Sequence, residues 1–168
     1  MIILGKPIGN GHPLGAVITT QEVAAAFSRR QHYFNTFAGN PVSCAVGLAV
    51  LDVMERESLQ KNAREVGDYS SAAIGAIAQR HPIIGDVRSA GLFAGIELVT
   101  SRASREPATQ TAKAVHGEMA KRGVLVGRTG LHGNVIKLRP PLVFSKANVD
   151  QLIDTLDQVL TDTPALDT

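Results

Sequence analysis

The chain has 168 residues, 44% of them hydrophobic, and a formal net charge of +2. That is enough for one domain with a sizeable core, or for parts of two. Its Lys and Arg residues are scattered, and it has five Phe, two Tyr and no Trp, so it offers neither the charge footprint nor the stacking platforms of a nucleic-acid binder.

The only cysteine, Cys44, excludes an internal disulfide and a cysteine zinc site. Its apolar helical surroundings predict a packed small hydrophobe rather than a reactive thiol. The longest nearly apolar stretch, 42–51, falls short of the roughly 20 residues that a membrane span requires. No leader is read at the front, and the expected location is cytoplasmic.

Residues 1–19 read as strand, glycine loop, strand. The loop Leu4-Gly5-Lys6-Pro7-Ile8-Gly9-Asn10-Gly11-His12-Pro13-Leu14-Gly15 holds one lysine and no acid. Taken alone, Lys6 is either a solvated loop charge or an amine held for chemistry. Thr19-Thr20-Gln21-Glu22 then signals a helix start, and a helix is predicted over 21–30. A polar and aromatic loop follows, ending in Asn40-Pro41, a dipeptide that favours a turn and a fresh helix.

The predicted helix over 42–57 is apolar or small on nearly every side through its first ten residues. A helix hydrophobic all round must be buried all round. So few other elements are available that part of this burial is expected from a partner subunit or from chain outside these residues. A helix over 58–80 follows, then strands over 83–89 and 92–99; the second places Leu92, Ala94, Ile96 and Leu98 on one face.

Glu106-Pro107 reads as the start of the next helix, and Arg122-Gly123 as its end. Short strands are predicted over 124–127 and 135–138. The final helix carries Val149, Leu152, Ile153, Leu156, Val159 and Leu160 as one stripe, with Ser145 as its cap. The tail 161–168 is expected to fray. The pattern divides in two, with residues 1–50 as the end of an α/β unit and 51–168 as a small α+β domain.

The five histidines (His12, His32, His81, His116 and His132) show no ligand spacing, so no metal site is expected. There is no Gly-x-Ser-x-Gly elbow for a serine nucleophile. The glycine loop also has the wrong order for a nucleotide phosphate loop, because Lys6 precedes the glycines and the chain continues into a strand. That order does suit an ε-amine that condenses with an aldehyde, provided the amine is partly desolvated or its pKa is lowered. Backbone amides and hydroxyls of 35–39 could form part of a phosphate cup.

Four ordered segments carry a resemblance. The run from Gly5 through Lys6 to Ala16 resembles the cofactor-lysine segment of class III pyridoxal phosphate aminotransferases. Asn35-Thr36-Phe37-Ala38-Gly39-Asn40-Pro41-Val42-Ser43-Cys44-Ala45 is similar to their second signature. The run from Val87 to Leu98 is similar to the start of their small domain, and Ile136-Lys137-Leu138-Arg139-Pro140-Pro141-Leu142 resembles the segment that receives the substrate carboxylate.

This resemblance implies the end of the large domain of a fold type I transferase followed by its small C-terminal α+β domain. It implies a homodimer that moves an amino group between an amino donor and an oxo acid. Lys6 would hold pyridoxal 5'-phosphate as a Schiff base and then shuttle the proton. Thr36 would donate to the cofactor phosphate across the dimer interface, which would also account for the apolar helix after it.

The family's arginine is replaced here by Lys137, a point charge without a bidentate fork. Either Arg139, two residues on and so on the same strand face, substitutes, or the substrate differs. The segments are most similar to a subgroup of alanine–glyoxylate aminotransferase-like proteins and amino-alcohol-phosphate phospho-lyases. The phosphate loop, the ring-stacking aromatic and the aspartate for the pyridine nitrogen would lie upstream. The competing expectation is a non-catalytic remnant that dimerises through its apolar helix.

Overall fold

The computed structural model describes residues 1–167. Two compact units divide the chain, Met1–Ser58 and Leu59–Thr168. The first unit opens on a small antiparallel pair, β1 (Ile2–Leu4) and β2 (Ala16–Ile18), with Ile2 opposite Ile18. Helix α1 (Gln21–Arg30) follows, where Thr20 accepts from the Val23 amide in the role of its cap. Helix α2 (Pro41–Arg56) is capped by Asn40, which accepts from the Ser43 amide, and Pro41 stands in the first turn where its missing N–H costs nothing.

Among the first 58 residues only Gly9 is buried. Helix α2 therefore does not show the all-round burial its composition demands: Val42 is 66% exposed and Leu48 63%. Its half-buried positions, Ser43, Val46, Gly47, Val50, Val53 and Met54, recur at three- and four-residue spacing and form a single stripe. Cys44 lies off that stripe and is exposed, which corrects its reading as a packed hydrophobe. The physical reason is that two three-residue strands and one other helix supply too little surface to enclose α2.

The second unit holds every buried hydrophobic side chain among the described residues. Its helices are α3 (Leu59–Arg80), α4 (Thr109–Lys121) and α5 (Lys146–Asp162). Its strands β3 (Ile84–Ala90), β4 (Phe93–Leu98), β5 (Gly127–Thr129) and β6 (Val135–Leu138) form one antiparallel sheet in the order β3-β4-β6-β5. Alternation works as predicted on β4, where Ala94, Ile96 and Leu98 enter the core with Ile136 and Leu138 of β6. Ile74 and Ile77 of α3, Val115 and Met119 of α4, and Leu152, Leu156 and Val159 of α5 cover that face. Ser145 caps α5 in a reciprocal capping box with Asn148.

Three expectations are corrected here. Helix α4 starts at Thr109 rather than at Glu106-Pro107, because Pro107 makes a β-bridge with Val99 and Ala108 donates to the Leu98 carbonyl. Strand β5 begins at Gly127 because residues before it terminate α4. The Gly123 amide donates to Ala120 and the Val124 amide to Met119, the two bonds of a Schellman ending, with φ +80 at Gly123.

The tail is also not frayed throughout. The Asp167 carboxylate accepts from the Gln110 and Thr111 amides at 2.9 and 2.8 Å and from the Thr111 hydroxyl at 2.8 Å. It thus caps α4, whose own N-cap residue, Ala108, has no side chain to offer. Burial alone would raise the Asp167 carboxyl, but these donors outweigh it and hold its pKa below the usual aspartate value.

Candidate active site

The lysine segment is shaped by its glycines and by one strained residue. After β1 and Gly5, Lys6–Gly9 form a single turn of 3-10 helix that ends on Asn10 in the left-handed region. Lys6 itself has φ +48, a conformation that L side chains adopt at some cost. Its side chain is exposed, and its amine has neither an acid nor a hydrogen-bond partner among the described residues. Gly9 is buried where a Cβ would stand 3.1 Å from the Leu14 Cβ, so the turn closes on its own loop.

Thr36 lies in the turn 36–39 ahead of α2, exposed, with no partner for its hydroxyl among the described residues. Two asparagines hold this turn. Asn35 Oδ1 accepts from the Phe37 amide at 3.1 Å, and Asn40 Nδ2 donates to the Phe37 carbonyl at 2.9 Å. Asn40 Nδ2 also lies 3.1 Å from Ser43 Oγ, and Ser43 Oγ is 2.9 Å from His12 Nε2 in the lysine loop. Four residues further along α2, a Cβ on Gly47 would come within 3.1 Å of the Leu14 side chain. The α2 stripe thus seats the lysine loop, and its cap seats the Thr36 turn.

The other two candidates lie in the second unit. Lys137 is half-buried in β6, opposite Gly95 of β4 on one side and Gly127 of β5 on the other. Both neighbours are bare backbone, so Lys137 is the only side chain at its level on these three strands. Across the same face Arg88 pairs with Asp86 and Glu97, whereas Lys137 has no acidic partner among the described residues. Arg139 stands one residue beyond the end of β6 and is exposed. It lines a cavity of about 200 Å³ together with Val124, Phe144, Asn148, Gln151 and Leu152.

The four candidates therefore fall into two pairs, Lys6 with Thr36 in the first unit and Lys137 with Arg139 in the second. Sequence reasoning missed His12 and Ser43 as a link. The available signal was Asn40-Pro41, which marks a capped helix start three residues before Ser43. No group of three or more His, Cys, Asp or Glu side chains capable of holding a metal occurs among the described residues.

A lysine after a strand, backed by glycines, with a hydroxyl-bearing turn ahead of the next helix and a small antiparallel α+β domain beyond, defines a class. The chain belongs to the aminotransferase class-III family, whose model matches residues 1–160. Members of that family are pyridoxal-phosphate-dependent enzymes.

It is 47% identical over 157 residues to alanine–glyoxylate aminotransferase 2 homolog 2, mitochondrial, of Arabidopsis thaliana, covering 94% of this chain and 33% of the relative. It is 40% identical over 162 residues to ethanolamine-phosphate phospho-lyase homolog 1 of Caenorhabditis elegans, covering 96% and 35%. Among solved structures, a phospholyase from Arthrobacter in complex with phosphoethanolamine superposes with a TM-score of 0.91 at 48% identity, covering 96% of this chain and 38% of that one. The chain spans about a third of the length of the curated relatives it matches. The expected fold, the end of a fold type I large domain followed by the small α+β domain, is borne out.

Proposed function

We propose that the chain carries the cofactor lysine of a pyridoxal-phosphate-dependent aminotransferase, moving an amino group between an amino donor and an oxo acid, and that full turnover needs the complete enzyme. The observation that carries this reading is Lys6, an exposed amine without a counter-ion among the described residues, held at φ +48 at the end of a strand. The donor set fits two ends of the cofactor, a primary amine for its aldehyde and the Thr36 hydroxyl with its turn amides for its phosphate. The only acid before Asp52 is Glu22, so the lysine and threonine segments hold no partner for the pyridine nitrogen.

When bound, pyridoxal phosphate supplies the aldehyde and an electron sink for the substrate α-carbon. Lys6 Nζ would hold the cofactor at its aldehyde and would carry the proton at the substrate α-carbon. Thr36 orients the phosphate of the neighbouring subunit's site in a homodimer. Lys137 and Arg139 receive the substrate's anionic group. Cytoplasmic location is part of the proposal, and the mitochondrial name of the Arabidopsis relative sets the alternative for a localisation experiment.

The test is borohydride reduction in the presence of cofactor followed by peptide mass mapping. A phosphopyridoxyl group on Lys6, absent in Lys6→Ala, is the expected result. Labelling spread evenly over the other lysines would overturn the reading and leave a non-catalytic remnant that acts at most in dimerisation.

A second reading, elimination from an amino-alcohol phosphate, is favoured by Lys137. A point charge between two glycines gives a tetrahedral anion room that a bidentate carboxylate clamp does not need. Phosphate release from phosphoethanolamine by the complete enzyme, without amino transfer to an oxo acid, would select it.

A further inference from the structure

We infer that Arg88 and Gly127 act as positioning residues for Lys137, keeping its ammonium away from Glu97 and so open to the substrate's anionic group. The inference rests on the reading of Lys137 as an anion receiver. Strand register puts four residues in one row across the sheet: Arg88 of β3, Gly95 of β4, Lys137 of β6 and Gly127 of β5. Ala94, Ile96, Ile136 and Leu138 point into the core, so this row lies on the opposite face. Along it, a cation alternates with a bare position.

Glu97 is the acid that Lys137 would be expected to meet. It pairs with Val135, two residues before Lys137 on β6, and so stands diagonal to Lys137 on the same face. Such diagonal neighbours are about 7–8 Å apart, within reach of two long side chains. No ion pair joins them among the described residues, because both side chains lean the other way. Glu97 Oε2 lies 2.6 Å from Arg88 Nη2, and Arg88 Nε lies 3.2 Å from Asp86 Oδ2.

Lys137 in turn lies over Gly127, where an added Cβ would stand 3.0 Å from Lys137 Cε. A Cβ on Gly95 would meet Val135 Cγ1 at 3.3 Å and nothing of Lys137 within 4 Å. Gly127 is outside the left-handed region, so its backbone does not demand glycine; the close approach of the Lys137 stem does. The strip over Gly95, between the two cations, stays bare. An exposed ion pair adds little to stability, and the effect of this one is where it puts Glu97. Arg105 lines the same cleft of about 310 Å³ as Asp86, Arg88 and Glu97, and is a second cation available to Glu97 once Arg88 is removed.

The experiment follows the Lys137 ε-methylene signals of the chain by NMR, assigned by their loss in Lys137→Met, as inorganic phosphate is added. Wild type is expected to respond at Lys137. Arg88→Gln should move these signals before any phosphate is present, as Glu97 takes up the amine. It should also raise the phosphate concentration for half-response by about two- to fivefold, the range of an exposed ion pair. Arg88→Gln with Arg105→Gln removes both cations and should show at least as large an effect. Adding Glu97→Gln to Arg88→Gln should restore the wild-type response. Adding Asp86→Asn instead restores the same net charge but leaves Glu97 free, and should not. Gly127→Ala should move the Lys137 signals more than Gly95→Ala does, without lowering the urea midpoint.

Lys137 signals left unmoved by Arg88→Gln and by its combination with Arg105→Gln would overturn the inference. Equal rescue by Glu97→Gln and Asp86→Asn would also overturn it, because the effect would then be one of net charge. A Gly127→Ala shift no larger than that of Gly95→Ala would overturn the part given to Gly127. Lys137 signals that move with Arg88→Gln but ignore phosphate in wild type would instead overturn the reading of Lys137 as an anion receiver.

Discussion

Helix α3 carries two glycines, Gly67 and Gly75, for which the same substitution should act with opposite sign. A Cβ built on Gly67 would stand 2.7 Å from the Cα of Gly91 and closer still to its carbonyl group, against an ordinary contact of 3.4 Å or more. The obstacle is backbone, in the two-residue turn between β3 and β4, where Gly91 has φ +54. It cannot rotate aside as a side chain would, and α3 would have to lift off the turn.

Overpacking costs about 1–3 kcal/mol, and a backbone obstacle belongs at the upper end. Alanine returns about 1 kcal/mol of helix propensity, so Gly67→Ala should destabilise by roughly 2 kcal/mol. Gly75 is exposed with nothing within 4 Å, so Gly75→Ala should stabilise by about 0.5–1 kcal/mol. With a urea slope of about 1–3 kcal/mol per molar, the two midpoints should move in opposite directions and separate by on the order of 1 M, read by far-UV circular dichroism. A rise in midpoint for Gly67→Ala would refute the close packing of α3 on the turn.

Acid sensitivity should concentrate at two aspartates. Asp157 is held below the usual carboxylate value by its hydrogen bond to His81 and then by Arg80, and Asp167 by the donors at the start of α4. A depressed folded pKa contributes stability that is complete above about pH 4 and is lost as pH falls through the folded value. Asp167→Ala should therefore cost roughly 1 kcal/mol at pH 7 and nothing once the wild-type carboxyl is protonated; a pH-independent difference in urea midpoint would contradict the capping role. The exposed apolar side chains Val42, Leu48 and Leu51 predict dye binding or self-association by the chain, and Leu48→Glu should reduce both. A monomer in light scattering that binds no dye would count against an unmet partner surface.

What could be read from the sequence was whatever is encoded within one or two turns of chain. The alternation of Leu92, Ala94, Ile96 and Leu98, the stripe on α5 and its cap at Ser145 are local patterns, and each lies where the pattern places it. The errors share a different origin. Pro107 is drawn into a bridge by Val99, and Asp167 caps a helix from 57 positions away; neither partner can be inferred from neighbouring residues. Cys44 was misread because an apolar run specifies that burial is needed and not what provides it. For the candidate site, motifs located Lys6 and Thr36, but the His12–Ser43 bridge spans 31 positions and depends on how α2 meets the glycine loop.

The placement of the chemistry has an energetic consequence. Lys6 and Thr36 both belong to the unit that buries no hydrophobic side chain, while Lys137 and Arg139 belong to the unit with the core. A three-residue hairpin and a ten-residue helix are marginal by themselves. Local opening should accordingly be easiest around the lysine, and strain at its φ of +48 adds to that tendency. Contacts that hold the loop, Leu14 on Gly47 and His12 on Ser43, then matter more to the geometry of Lys6 than equivalent contacts would in a unit with its own core. Cofactor affinity should follow the stability of this unit, so a surface that covers α2 would raise labelling of Lys6 without touching it. A rise in phosphopyridoxyl labelling on association, at constant cofactor, is the result this coupling requires, and labelling that ignores the association state would show that the lysine loop is held by its own contacts alone.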